Sequence, residues 1–232
     1  MTPEPIVLSW SGGKDSSLAL AALRADPRYE VVALQTSITR GYDRVSIHGV
    51  RRALVEAQAE AAALPLLEVA LEQQSSNDAY ELAFSESLGG VRATYPEVTR
   101  IAFGDLFLED VREYRERLVA ASGFGALFPL WGRDTRALAH EFIAAGFRAH
   151  IVCVDTTQLP AEFAGREFDA TLMADLPSSV DPCGERGEFH TFVSDGPIFT
   201  NAIGVTRGEI VLRENRFMFC DLLSDAYTAD AL

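Results

Sequence analysis

Residues 6 to 17 constrain the chain more than any other stretch: Ile6-Val7-Leu8-Ser9-Trp10-Ser11-Gly12-Gly13-Lys14-Asp15-Ser16-Ser17. A short apolar run containing β-branched residues stops at two adjacent glycines, and a helical pattern from Leu18 to Leu23 starts directly behind them. The expected local structure is strand, tight turn, helix. Such a turn aims backbone N–H groups and the positive end of a helix at one point, which makes an anion site. Gly12 and Gly13 carry no Cβ, so the backbone is free to take positive φ and to approach a bound phosphate. Lys14 adds a positive charge, and Ser11, Ser16 and Ser17 add hydroxyl donors. Asp15 fits an anion cradle once the phosphate is taken to arrive with Mg²⁺, which prefers carboxylate and phosphate oxygens.

The pattern after this turn repeats strand and helix. Tyr29 to Thr36 reads as a second buried strand and residues 37 to 49 as a polar loop. An apolar stripe (Val50, Ala53, Leu54, Ala57, Ala61, Leu64) predicts a helix that ends at Pro65. Leu66 to Leu71 is a third strand, Tyr80 to Arg92 a helix, Arg100 to Gly104 a fourth strand, and Glu109 to Ala121 another helix. Four such alternations predict an α/β fold of Rossmann-like type, a parallel sheet with helices on both faces. Ligands of such sheets lie beyond the carboxyl ends of the strands, which sets the glycine turn and Gly104-Asp105 over one cleft.

Ser122-Gly123-Phe124-Gly125 is the best break in the chain. It divides a nucleotide-binding unit, residues 1–124, from a smaller α+β unit, residues 125–232. The second unit is expected to contain a short strand at Ala126 to Leu130, a helix at Asp134 to Ala145 and a strong strand at His150 to Asp155. A turn-rich stretch follows, and two strand-like pieces, Gly208 to Arg213 and Arg216 to Leu222, close the pattern.

Composition narrows the function. A net charge of −14 weighs against a broad nucleic-acid surface, which needs clustered Lys and Arg. Arg51-Arg52 and Arg112, Arg115 and Arg117 are the candidate basic patches, yet arginines mixed with glutamates on helices usually form a solvated face. Three scattered cysteines (Cys153, Cys183, Cys220) point to reduced thiols, and four unpaired histidines argue against a zinc site built by the protein. No apolar run is long enough for a bilayer, and Met1 to Pro5 has no basic start of the signal-peptide kind. The expected compartment is the cytoplasm, with no membrane partner.

A second group of chemically active residues lies at 181 to 199, where Glu185, Glu188 and His190 are set among glycines in Asp181-Pro182-Cys183-Gly184-Glu185-Arg186-Gly187-Glu188-Phe189-His190-Thr191. Glycine-flanked carboxylates can approach a ligand or a metal, and a histidine can move a proton near neutrality. On composition alone, a solvated turn whose histidine satisfies a core hydrogen bond is an equal reading.

The run Ser11 to Ser16 is not a Walker P-loop, because its glycines abut the lysine. It resembles the SGGKDS signature of the PP-loop ATP pyrophosphatases, of the adenine nucleotide alpha hydrolase-like superfamily. Glu185 to Thr191, with Gly184 before it, resembles the G-E-x-G-E-F-H-T motif of the diphthine-ammonia ligase family within that group. Ile47-His48-Gly49-Val50, Glu56 to Glu60 with Leu64-Pro65-Leu66, Ala102 to Asp105 and Pro129-Leu130-Trp131 match as well.

The resemblance implies an enzyme that adenylates a carboxylate with ATP, releases pyrophosphate, and lets ammonia displace AMP to leave an amide. It implies ATP and Mg²⁺ as the required small molecules and a carboxylate partner whose prototype is diphthine on a translation elongation factor. The nucleotide would be held by Ser9, Ser11, Gly12, Gly13, Lys14, Asp15, Ser16, Gly104 and Asp105. Asp15 and Asp105 would contact Mg²⁺, and Lys14, Asp15, Glu185, Glu188 and His190 would carry the chemistry. His48 has two equal readings, a loop histidine or a ligand contact. Another small-molecule acid, a tRNA-modifying PP-loop enzyme, a glutamine-dependent amidotransferase and a nucleotide sensor are the rivals. The oligomeric state stays open, a homodimer included.

Overall fold

The computed structural model describes residues 2–46, 48–73 and 76–225. The first sheet opens with β1 (Glu4–Ser9), whose Ile6, Val7 and Leu8 are all fully buried, as expected of a strand covered on both faces. β1 lies between β2 (Tyr29–Thr39) and β5 (Arg100–Ala102), both parallel to it. β4 (Leu66–Leu71) extends the sheet beyond β2 and β6 (Gly125–Leu127) beyond β5, again in parallel. Along the sheet the parallel strands therefore run β4-β2-β1-β5-β6, and the order reverses at the β1/β5 boundary. In an open α/β sheet that reversal is where a ligand crevice opens.

Alternate residues of β1 feed two cores. Val7 joins Ala33 and Ile101 under α3 (Asn77–Thr94) and α4 (Glu109–Ala120), which contribute Phe84, Leu88, Val91, Leu118 and Val119. Ile6 and Leu8 face α1 (Lys14–Ala25) and α2 (Arg52–Ala61) through Leu20, Leu23, Leu54 and Val55. The α3 start is fixed by Ser76, whose hydroxyl accepts the Ala79 N–H at 3.2 Å.

The second sheet is antiparallel, in the order β8-β7-β10-β9, built from β7 (Arg148–Asp155), β8 (Phe189–Asp195), β9 (Val205–Arg213) and β10 (Phe217–Ser224). α5 (Thr135–Ala144) packs Leu138 and Phe142 against it, and α6 (Ala170–Asp175) adds Leu172 and Met173. One hydrophobic cluster runs without a break from Leu8 and Leu20 through Phe142 to Ile151 and Phe192, so the two sheets share a core.

Four details depart from the sequence expectation. The loop read at 37–49 contains the end of β2 and a return strand, β3 (Arg44–Val45), because Ile38 and Val45 pair and are both buried. β6, expected to open the second unit, is the edge strand of the first sheet. The turn-rich stretch holds α6, capped by Asp169 accepting the Leu172 N–H at 2.8 Å. It also holds β8, so that Phe189, His190 and Thr191 sit on a strand and only residues 181–188 form the loop.

Candidate active site

A cleft of about 900 Å³ opens over the carboxyl ends of the parallel strands and is closed from the other side by the 181–188 loop and β8. Ser9, Ser11, Gly13, Lys14, Asp15, Ser16, Gly104, Asp105, Glu185 and His190 all line it. Residues 9–16 and 184–191 meet there although some 170 positions separate them.

The glycine turn is held by its own hydroxyls and by β8. Gly12 takes φ +77°, and a Cβ there would stand 2.7 Å from the Gln58 side-chain oxygen. The Gly12 carbonyl accepts the Val193 N–H at 2.9 Å, and the Lys14 N–H donates to Thr191 Oγ1 at 3.0 Å. Ser16 and Ser17 both donate their hydroxyls to the Gly13 carbonyl, at 2.9 and 3.0 Å. Ser17 is fully buried, so this hydroxyl serves the turn, whereas Ser16 also faces the cleft beside Ser11. Gly104 packs on the same turn: a Cβ would come within 3.0–3.1 Å of the Asp15 carbonyl and the Ser16 nitrogen. That contact brings Asp105 toward Asp15.

Lys14 is 2% exposed. Its ammonium donates to both Asp15 oxygens, at 2.9 and 2.7 Å, and to the Cys183 carbonyl, and lies 5.6 Å from the Phe189 ring centre. Burial pulls the ammonium down most strongly, but the charge and hydrogen bond of Asp15, with the charges of Cys183 and Glu185, together hold the group above its ordinary value. Burial raises Asp15 against the pull of Lys14, and the charges of Asp105 and Asp181 add to the rise. Asp105 is raised by burial as well, with Arg115 opposing at 3.9 Å. Glu185 accepts the Leu106 N–H at 2.7 Å, yet burial with the charges of Asp15 and Asp105 pushes it up to about 7.

Glu188 is placed differently from Glu185. It is 2% exposed and absent from the cleft wall, with one oxygen accepting the Asp181 N–H and the other the Arg186 N–H, both at 2.9 Å. Asp181 ties the same loop, accepting from Cys183 N and Glu185 N and from the Thr135 hydroxyl. These two carboxylates shape the loop from inside and leave Glu185 turned toward the cleft. His190 does line the cleft, where its ring centre lies 4.5 Å from that of His48. Burial and then Lys14 bring His190 down to about 4, and burial and His190 hold His48 well below its ordinary range, so both rings are neutral at pH 7.

Gln58 and Arg115 carry roles that their sequence context hides. Gln58, fully buried in the apolar stripe of α2, accepts the Trp10 indole N–H at 3.0 Å and donates to the carbonyls of Gly12 (2.9 Å) and Val193 (2.6 Å). It joins the glycine turn to β8. Arg115, expected on a solvated face, turns into the cleft over Phe103 and donates to the Tyr80 hydroxyl at 3.2 Å. Its Nε, Gln35 Oε1 and Thr36 Oγ1 are buried atoms without a hydrogen-bond partner, and all three residues line the cleft. Buried polar atoms without hydrogen bonds, gathered at a cleft, are what a polar ligand satisfies.

Among the described residues no group of three or more His, Cys, Asp or Glu is placed to hold a metal, and no helix is long and apolar enough to cross a membrane. Asp15 and Asp105 fit an ion that arrives on phosphate oxygens and takes only one or two protein carboxylates.

Two family models match in tandem, the diphthamide synthase N-terminal domain over residues 5–126 and its C-terminal domain over residues 134–222. The diphthine–ammonia ligase of Schizosaccharomyces pombe is 27% identical over 218 residues, which cover 87% of this chain and 36% of that protein. The Mus musculus protein of the same name is 28% identical over 235 residues, 87% of this chain and 83% of its own length. The Homo sapiens one is 30% identical over 121 residues, 50% of this chain and 45% of its own. The chain thus spans about a third to a half of the first relatives it matches, and most of the mouse protein. With both halves matched in order along its length, the chain belongs to the diphthamide synthase family.

Proposed function

We propose that the cleft binds ATP with Mg²⁺, transfers its AMP moiety to a carboxylate, and releases the product as an amide. One observation carries this reading: the glycine turn with Lys14 and the Glu185 loop, remote in sequence, wall a single cleft in which three buried polar atoms lack a hydrogen-bond partner. A carboxylate oxygen attacks the α-phosphorus, the bond to the β-phosphate oxygen breaks, and pyrophosphate leaves. Ammonia nitrogen then attacks the acyl carbon, AMP departs, and nitrogen loses a proton. Positioning and charge neutralisation supply most of the rate in such a sequence.

In this scheme Ser9, Ser11, Gly13 and Ser16 cradle phosphate, while Gly12, expected beside them but absent from the cleft wall, and Gly104 hold the turn's shape. Lys14 neutralises charge that develops on the leaving pyrophosphate. Asp15 and Asp105 would hold Mg²⁺, which when bound shields phosphate charge. Glu185, with a proton affinity near neutrality, takes the proton from nitrogen. His190 and His48, both neutral, accept or donate hydrogen bonds to the acid, and Glu188 acts through the loop it shapes. The relatives' name supplies the acid and the nitrogen donor, diphthine and ammonia; the resemblance of the two motifs adds a translation elongation factor as the carrier of the diphthine. The first unit then serves the nucleotide and the second the acid. Three buried free thiols suit a reducing cytoplasm.

The test is incubation of the full chain with α-labelled ATP, Mg²⁺, ammonium and diphthine-bearing elongation factor. AMP and pyrophosphate in equal amounts, dependent on the acid, are expected. ADP as product, or nucleotide bound without turnover, would overturn the reading.

A further inference from the structure

Among the described residues β9 is the free edge of the second sheet, and most of its residues are exposed on both faces. It presents Ile210 and Leu212, 50% and 47% exposed, on one face and Glu209, Val211 and Arg213 on the other. Among the described residues neither Glu209 nor Arg213 forms an ion pair. Four residues of strand, roughly 13 Å, keep them from reaching each other. An edge with exposed apolar side chains is a template for another strand.

We propose that this edge pairs with its own copy, antiparallel, about a two-fold axis through Val211. In antiparallel pairing residues directly opposite share a face, so the axis must pass through a residue, and each choice can be tried. Centred on Val211, Ile210 meets the partner's Leu212 and Glu209 meets the partner's Arg213, each contact occurring twice. Centred on Ile210, Glu209 would meet Val211 and leave Arg213 without an acid opposite; on Glu209, two glutamates would meet. Gly208 as centre falls where the β9 register shifts between Arg207 and Ile210, which breaks the alternation of faces that a continuous ladder needs. Leu212 as centre sets Val211 against Arg213. One register alone satisfies both the apolar and the charged pairs. The two sheets then join through β9, while β8 with His190 lies at the far edge, so the cleft stays open in the pair.

Sedimentation of the full chain at micromolar concentration tests this, independently of any activity. The wild type is expected to be a dimer. Glu209→Arg and Arg213→Glu are each expected to be monomers, because like charges then meet twice across the axis. The double variant Glu209→Arg/Arg213→Glu is expected to recover the dimer. Circular dichroism on each variant checks that the fold is kept. A monomeric wild type, a dimer indifferent to either single reversal, or a double variant that stays monomeric would overturn the proposal.

Discussion

Glu185, with its proton affinity raised to about 7, changes charge in the range where its proposed chemistry would run. The folded chain holds this proton more tightly than the unfolded chain, whose value is the ordinary 4.5. Its contribution to stability is therefore most favourable below pH 4.5, worsens as the pH rises from there to about 7, and carries the full penalty above. Glu185→Gln is expected to stabilise the protein by roughly 1–3 kcal/mol at pH 8 and to change little at pH 4, the partial exposure of the side chain trimming the effect. Urea unfolding at the two pH values measures it. For the reaction, kcat/KM should rise through about pH 7 in the wild type, and the Gln variant should lose that limb with roughly 10²–10⁴-fold in rate. Lys14→Met keeps the apolar stem beside Phe189 but strands the Asp15 carboxylate. Loss of AMP formation and roughly 2–4 kcal/mol of stability are expected, as read by product chromatography and denaturation.

The glycine turn is an element that two glycines and one glutamine keep in shape. Gly104→Ala puts a methyl group against the Asp15–Ser16 backbone, where no flexible side chain can yield. A loss of roughly 1–3 kcal/mol and about tenfold weaker ATP binding by calorimetry follow. Gln58→Leu leaves the Trp10 indole N–H and the carbonyls of Gly12 and Val193 with their side-chain partner removed. About 2–4 kcal/mol should be lost, with a shift in Trp10 fluorescence. Periodicity and the glycines made α1, the alternating strands and the turn legible in the sequence. It could not separate Glu185 from Glu188, since acids three positions apart in a glycine-rich loop look alike until their backbone partners are known. Gln58 was hidden because a polar residue on a helix stripe gives no sign of three backbone and indole partners drawn from elsewhere in the chain. β8 was obscured by the turn residues before it, and Arg115 by the glutamates around it.

At the scale of the molecule, the cleft gathers Asp15, Asp105 and Glu185 around one buried ammonium. A bare triphosphate meets repulsion from these acids, and one neutralised by a divalent ion meets less. Thermal unfolding should therefore show a larger upward shift with ATP and Mg²⁺ than with ATP and a chelator. At saturation near one hundred times the dissociation constant the gain is about 2.7 kcal/mol. An equal shift in both conditions would remove Mg²⁺ from the proposed complex.

The bond from the Lys14 amide to Thr191 spans 177 positions. A ribosome adding roughly 5–20 residues per second takes roughly 10–35 s to cover that distance. For that interval the nascent amino-terminal half waits with the Gly12 carbonyl and the Lys14 amide unclaimed by the strand that later seals them. Translation speed over this stretch therefore sets how long the glycine turn stays open.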